Sequence, residues 1–368
     1  GVELPGILAG PLPLDYLTAN ARWTLHDDRV DLAIRNATFT NEHLAGSISG
    51  SYSSAAQGPG SVDLSGMLVR VDARQIWRYI PLELQDTQAW LRRALLAGES
   101  KETRLRLKGL LKDFPFAGDR NGVFEVVTKA SGVTLDYADG WPQITGIAGD
   151  VVFRGDRMDI NARSGAIVGV QLSGVHASIA ELSADVQLLR VKGLAQGASS
   201  DFLRFAAGMP VAGQIVGFAG EARAVGDARL DLELDLPLQR MEETTVKGEL
   251  MLENNLVTLD ARLPPFEQFG ARAAFTGNSF SLKEGRALLF GETLSFEASN
   301  QADGGITANV AGTLDMDRAR LVWKQPTLAY LDGQTPWSAT IGVRNSVMSM
   351  RFESSLIGLK STLPPPFA

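Results

Sequence analysis

The stretch RLDLELDLPL, Arg229 to Leu238, alternates apolar and polar residues along its whole length. An extended chain sends successive side chains to opposite faces. Leu230, Leu232, Leu234 and Leu236 therefore share one side, and Arg229, Asp231, Glu233 and Asp235 the other. The same period places Val30, Leu32 and Ile34 together, then Leu105 with Leu107, and Val133 with Leu135 and Tyr137. It recurs in Val257, Leu259, Ala261 and Leu263, and in Met348, Met350 and Phe352. Such runs, about 5–9 residues long and bounded by Gly, Asn, Asp or Ser, predict strands, roughly twenty in all. The pairs Gly155-Asp156, Asn254-Asn255 and Gly277-Asn278 predict turns between them, and the Ser/Gly-rich segment 51–61 one hairpin loop. Connections this short require antiparallel neighbours.

Helical signals are few. DTQAWLRRALLAG predicts a helix over 86–98, with Asp86 as N-cap and Gly98 as terminator. Trp90, Leu91, Ala94 and Leu95 share the face that such a helix buries, against the sheet edge or as a lid across the apolar face. Shorter candidates are 72–80, 199–207 and 317–323. They reveal a loose repeat, in which strand, Gly, Asp, a short helix with one Trp and then Pro recur (Gly66, Trp77, Pro81; Gly312, Trp323, Pro326). A looser third copy begins near Gly193, a period of about 120 residues. No linker interrupts the pattern, so residues 1–368 read as one continuous elongated section. The Gly pairs of GAIVG (Gly165, Gly169) and GQIVG (Gly213, Gly217) read as bends within strand-rich sequence.

The helices cannot cover the strands. Twenty strands at about 4.8 Å spacing and about 24 Å length give one face of roughly 2,300 Å². The helix over 86–98 shields about 160 Å² and all four candidates about 500 Å². Three covers remain: a second sheet, giving two or three β-sandwich domains; closure into a barrel; or an open trough that holds apolar ligand. The steady hairpin rhythm and the absence of linkers favour the trough. An exposed apolar lining is a liability in water unless acyl chains normally occupy it. Its expected lining is Val30, Leu32, Ile34, Leu105, Leu107, Val133, Leu135, Leu230, Leu232, Leu234, Leu236, Val257, Leu259, Met348, Met350 and Phe352, with Trp90, Leu91 and Leu95 on the lid helix.

Composition narrows the functional classes. Apolar residues make up 45% and charged residues 21% of 368, which fits a folded protein. A net charge of -7 with no basic stripe excludes nucleic acid as an expected partner. Zero cysteines exclude disulfides and thiolate metal sites. His26, His43 and His176 stand apart, so no metal is expected, and no cofactor. G-x-S-x-G, G-x-G-x-x-G and the P-loop pattern are absent. Carboxylates sit mostly on polar strand faces, so no enzyme is expected, and a glycan hydrolase is the remote alternative. The longest stretch without a formal charge, Gly165 to Ala180, is too short to span a bilayer. The chain begins without Met and is expected to be a fragment of a longer protein.

Three blocks resemble the AsmA-like envelope proteins, specifically the YhdP family. They are the run Tyr79 to Phe116, YADGWPQITGIAGDVVFRGDRMDI with Trp141-Pro142 and Phe153, and the ending SSLIGLKSTLPPPFA with Ser355, Gly358 and Pro364. The resemblance implies an all-β fold with a few short helices, a long twisted antiparallel sheet curled into an open hydrophobic groove. It implies a periplasmic section of a bridge held in the inner membrane by a helix outside this fragment. That bridge would carry phospholipid toward the outer membrane. Acyl chains are then the expected partners, with envelope proteins at the ends, and the section itself a monomer. A non-transport scaffold for envelope biogenesis is the alternative. The family supplies no catalytic residues.

Overall fold

The structure, a computed structural model, describes residues 13–26, 29–81, 84–119, 121–208, 222–259, 264–277, 279–301, 305–322, 325–344 and 347–362. Among them 19 strands join one antiparallel sheet that is not closed into a barrel. The strands are β1 (Tyr16–His26), β2 (Arg29–Thr40), β3 (Leu44–Ser53), β4 (Ser61–Asp72), β5 (Leu95–Leu110), β6 (Gly122–Leu135), β7 (Ile144–Arg154), β8 (Arg157–Ile167), β9 (Val170–Ile179) and β10 (Leu188–Ala198). They continue as β11 (Arg223–Pro237), β12 (Thr245–Thr258), β13 (Phe266–Thr276), β14 (Phe280–Leu289), β15 (Glu292–Asn300), β16 (Ile306–Asp315), β17 (Leu331–Arg344), β18 (Val347–Ser354) and β19 (Leu359–Ser361). Successive strands pair from β1 to β8 and from β12 to β18, mostly through short connections, but residues 73–94 separate β4 from β5 and residues 316–330 separate β16 from β17; β19 returns to the start of β17. The sandwich alternative therefore falls: there is no second sheet among the described residues.

Most strands are longer than the alternating runs that predicted them, because bulges let pairing continue where the alternation slips. Asn254-Asn255 is the clearest case. It forms no turn but lies inside β12, where Asn254 takes a positive φ of 53° and the pairing with β13 shifts register. Asn tolerates that conformation better than most residues. Asn255 is fully buried and its amide donates to the carbonyls of Asp227 and Glu253, both at 3.0 Å. Further shifts interrupt the β1–β2, β2–β3, β5–β6, β6–β7 and β13–β14 ladders. Each bulge bends its strand and increases the local twist, which is consistent with a curled sheet. Gly155-Asp156 does form the β7–β8 turn, and residues 54–60 the β3–β4 loop.

The helices depart from prediction in detail. The segment 73–79 is a 3-10 helix (Ala73–Tyr79) capped by Asp72, whose Oδ1 accepts from the Arg74 N–H at 3.0 Å. Helix α1 spans Gln85–Ala94, so Asp86 lies in its first turn and not at the cap, while Leu95 and Gly98 belong to β5. Helices α2 (Ser199–Ala207) and α3 (Met316–Val322) follow β10 and β16 directly. Trp323 and the Gly213–Gly217 pair lie outside the described residues.

The chain divides into two compact units. The first holds residues 1–167, 171–193 and 234–244; the second holds 168–170, 194–233 and 245–368. Neither builds a deep core. The buried apolar residues are mostly Ala and Val, and the largest side chains fully buried are Phe116, Leu294 and Asn255. In the second unit α3 closes a small cluster, with Met316 and Ala319 packed with Leu328 against Leu314, Leu331 and Leu359.

Candidate functional site

Strand register turns alternation into rows that cross the first unit. One row runs Ala21, Ile34, Gly50, Leu64, Leu107, Phe124 from β1 to β6. The next runs Ala37, Ile48, Gly66, Leu105, Val126, Phe153, Met158 from β2 to β8. A third carries Leu68, Thr103, Thr128, Val151 and Ile160. No charged residue occupies these rows. Their large aliphatic and aromatic members are half-buried, as they would be on a wall shielded by its own neighbours and not by a second layer. At β1 the shielding ends: Trp23 is 68% and Leu25 71% exposed.

The opposite face carries the charge, arranged as a ladder of cross-strand ion pairs. Asp63 of β4 meets Arg106 and Lys108 of β5, and Glu102 of β5 meets Lys129 of β6 at 2.7 Å. Glu125 of β6 meets Arg154 of β7 at 2.6 Å, and Asp150 of β7 meets Arg163 of β8 at 2.7 Å. Opposite charges on facing strands stabilise a sheet modestly and keep that face wetted. The hydrogen bond from Arg106 holds the Asp63 carboxyl below the ordinary carboxylate range, and that from Lys129 does the same to Glu102. A shallow depression of about 200 Å³ is lined by Asn36, Ser47, Ile48, Ser49, Ser65, Gly66 and Met67 on β2 to β4.

The second unit repeats the arrangement with smaller side chains. Leu250, Ala273, Leu282, Ala298, Ala308, Ile341 and Met350 form one row from β12 to β18. Phe296 lies across Gly285, where an added Cβ would meet the ring at 2.4 Å, and stacks on Phe269 at 4.8 Å. The glycine supplies the floor that the ring needs.

The expected lining residues lie on several strands of both units. Leu32, Ile34, Leu105 and Leu107 lie in the first unit's rows, with Val30 opposite Leu25 at the outer end and more exposed. Val133 and Leu135 extend the same face past a bulge, Val133 being buried against Gly98. Leu230, Leu232, Leu234 and Leu236 alternate in β11 and are half-buried. Val257 is buried in β12, and Leu259 lies one residue beyond it. Met350 and Phe352 are more than half exposed on β18, Phe352 stacked on Trp337 at 5.1 Å. Met348 is paired with Val343 in register, and its side chain lies outside the described residues. Helix α1 does not bury the expected face: Trp90 is exposed, Leu91 half-buried, and only Ala94 fully buried, because the helix stops before Leu95. Sequence reasoning missed Trp23, Leu64, Phe124, Val126, Phe153 and Met158. In VFEVV the residues Val123 and Val127 put apolar side chains on both faces and hide the alternation.

The family model described as YhdP protein matches residues 1–368, the whole chain. The chain belongs to the YhdP family. YhdP membership points to an envelope-associated, lipid-transfer-like role, and an uncovered apolar face is the structural feature that fits it. No curated protein and no solved structure matches the chain.

Proposed function

We propose that this chain is a section of a conduit carrying phospholipid between the inner and outer membranes of a Gram-negative envelope, in support of the outer-membrane barrier. It works in the periplasm, with the full-length protein anchored in the inner membrane. The observation that supports this reading is the set of charge-free apolar rows, in register over β1 to β8 and half-buried without a covering layer. Burial of each methylene of an acyl chain is worth about 0.8 kcal/mol, which retains a tail against the wall. The wall is mainly Leu, Ile, Val and Phe, and its hydroxyls at Ser100, Thr103 and Thr128 are bonded to one another, so it grips a tail without selecting one, and adjacent positions are nearly equal in energy. Lipid therefore slides without a large barrier.

Native mass spectrometry of the purified chain tests the reading. Phospholipid should remain bound to the wild type. Its occupancy should fall about tenfold or more on Leu105→Asp or Leu232→Asp, since a carboxylate in an apolar site costs several kcal/mol. Met67→Asp, on the serine-rich face opposite Arg104, should leave occupancy intact. A lipid-free wild type, or full occupancy in a folded Leu105→Asp protein, would overturn the conduit in favour of a scaffold.

A further inference from the structure

The geometry points to a phosphate site at Trp77, Arg78 and Arg92, with the phosphodiester of a lipid headgroup as its ligand. This rests on the conduit reading and adds to it a place where the headgroup is held. The 3-10 helix Ala73–Tyr79 leaves β4 directly, and α1 packs on it. Gln88 of α1 fixes the pair by donating from Nε2 to the Ile80 carbonyl at 2.6 Å. That contact brings the last turn of α1 over the indole. The Arg92 guanidinium lies 5.1 Å from the Trp77 ring centre and that of Arg78 4.8 Å.

The two arginines differ from their neighbours. Arg74 is paired with Asp72, and Arg93 with Asp139. Among the described residues neither Arg78 nor Arg92 forms an ion pair. Arg78 spends its Nε on Gln75 at 2.7 Å, which leaves its terminal nitrogens. In a chain of net charge -7, two guanidiniums held on one ring without a carboxylate are an unneutralised site. The cation–π contact restrains each guanidinium over the ring and leaves terminal N–H groups to bind an oxyanion, with little further ordering cost.

Position supplies the second argument. Val71, near the end of β4, pairs with Ser100, and both are buried. Trp77 follows six residues on, two at the strand rise and four at that of a 3-10 helix, a separation of at most about 15 Å. Apolar wall, then buried hydroxyl, then cation is the order of groups along a phospholipid from tail to phosphate.

Isothermal titration of the purified chain with three probes tests the site: soluble dihexanoylphosphatidylglycerol, the uncharged dihexanoylglycerol, and inorganic phosphate. Arg92→Gln and Arg78→Gln should each weaken the phospholipid about tenfold, and Arg92→Lys should not restore it, because an ammonium lacks the planar fork. The uncharged lipid should bind all variants alike. Phospholipid affinity unchanged in both glutamine variants, with far-UV circular dichroism unchanged, would overturn the site. Inorganic phosphate binding as tightly as the phospholipid would overturn the headgroup assignment in favour of free phosphate. If the uncharged lipid fails to bind the wild type while phosphate binding still falls in the arginine variants, the conduit fails and the phosphate site stands.

Discussion

The apolar faces of the two units fill their space differently. In the first unit the central row sets Ile48, Leu105, Val126, Phe153 and Met158 around a single glycine, and each large side chain stays half-buried. In the second, Ala273 lies between Leu250 and Leu282, and Ala271, Ala287 and Ala339 are likewise buried beneath taller neighbours. A short side chain between tall ones is covered by the protein itself. Tall side chains beside tall ones form an even wall whose tips only another molecule can cover. The first unit therefore leaves more of its apolar surface bare, and the second spends more of its own on self-packing.

Truncating the largest buried group in each unit should give the largest effects. Phe116, 1% exposed with its ring against Gly109 and Gly122, anchors the β5–β6 connection. Phe116→Ala should destabilise the first unit by about 3–5 kcal/mol and Leu294→Ala the second by about 2–5 kcal/mol, read by urea denaturation. The packing contrast itself predicts an asymmetry. Ala273→Leu should cost about 1–3 kcal/mol by overpacking, whereas Leu105→Ala, whose side chain is only half-buried, should cost less than the usual buried Leu→Ala loss of about 2 kcal/mol. Equal losses at the two positions would break the comparison.

Acid gives the smallest effect. The Asp63 and Glu102 carboxyls titrate below their ordinary values because of Arg106 and Lys129. Their stabilising contribution is thus complete above the unfolded carboxylate pKa of about 4 and is lost as pH falls through the folded value. Melting temperature should drop between pH 5 and pH 3, by less in high salt, because the ladder is exposed and screened.

Alternation made the strands legible, since period two follows from backbone geometry alone. Leu230 to Leu236 and Leu105 with Leu107 needed no further information. Register and bulges were not legible. Asn254-Asn255 carries the local signature of a turn, and only pairing with β13 on both sides of it makes the segment a bulge. The α1 face failed for a related reason: Leu95 satisfies a helical period, yet its pairing with Leu135 draws it into β5. Nor does sequence show that Arg78 and Arg92 reach one indole, because α1 must first pack on the 3-10 helix across the thirteen residues between them.

From β1 to β8 and from β12 to β18 the antiparallel ladders join strands that are also neighbours along the polypeptide, and β19 returns to β17. Few long loops need closing before contacts reward the closure, so assembly can start at any hairpin and spread outward one strand at a time. Removing a terminal hairpin then forfeits one interface and leaves the others whole. Lengthening or shortening such an array by whole hairpins is the cheapest change open to it, and span becomes a property that evolution can adjust without redesigning the interior.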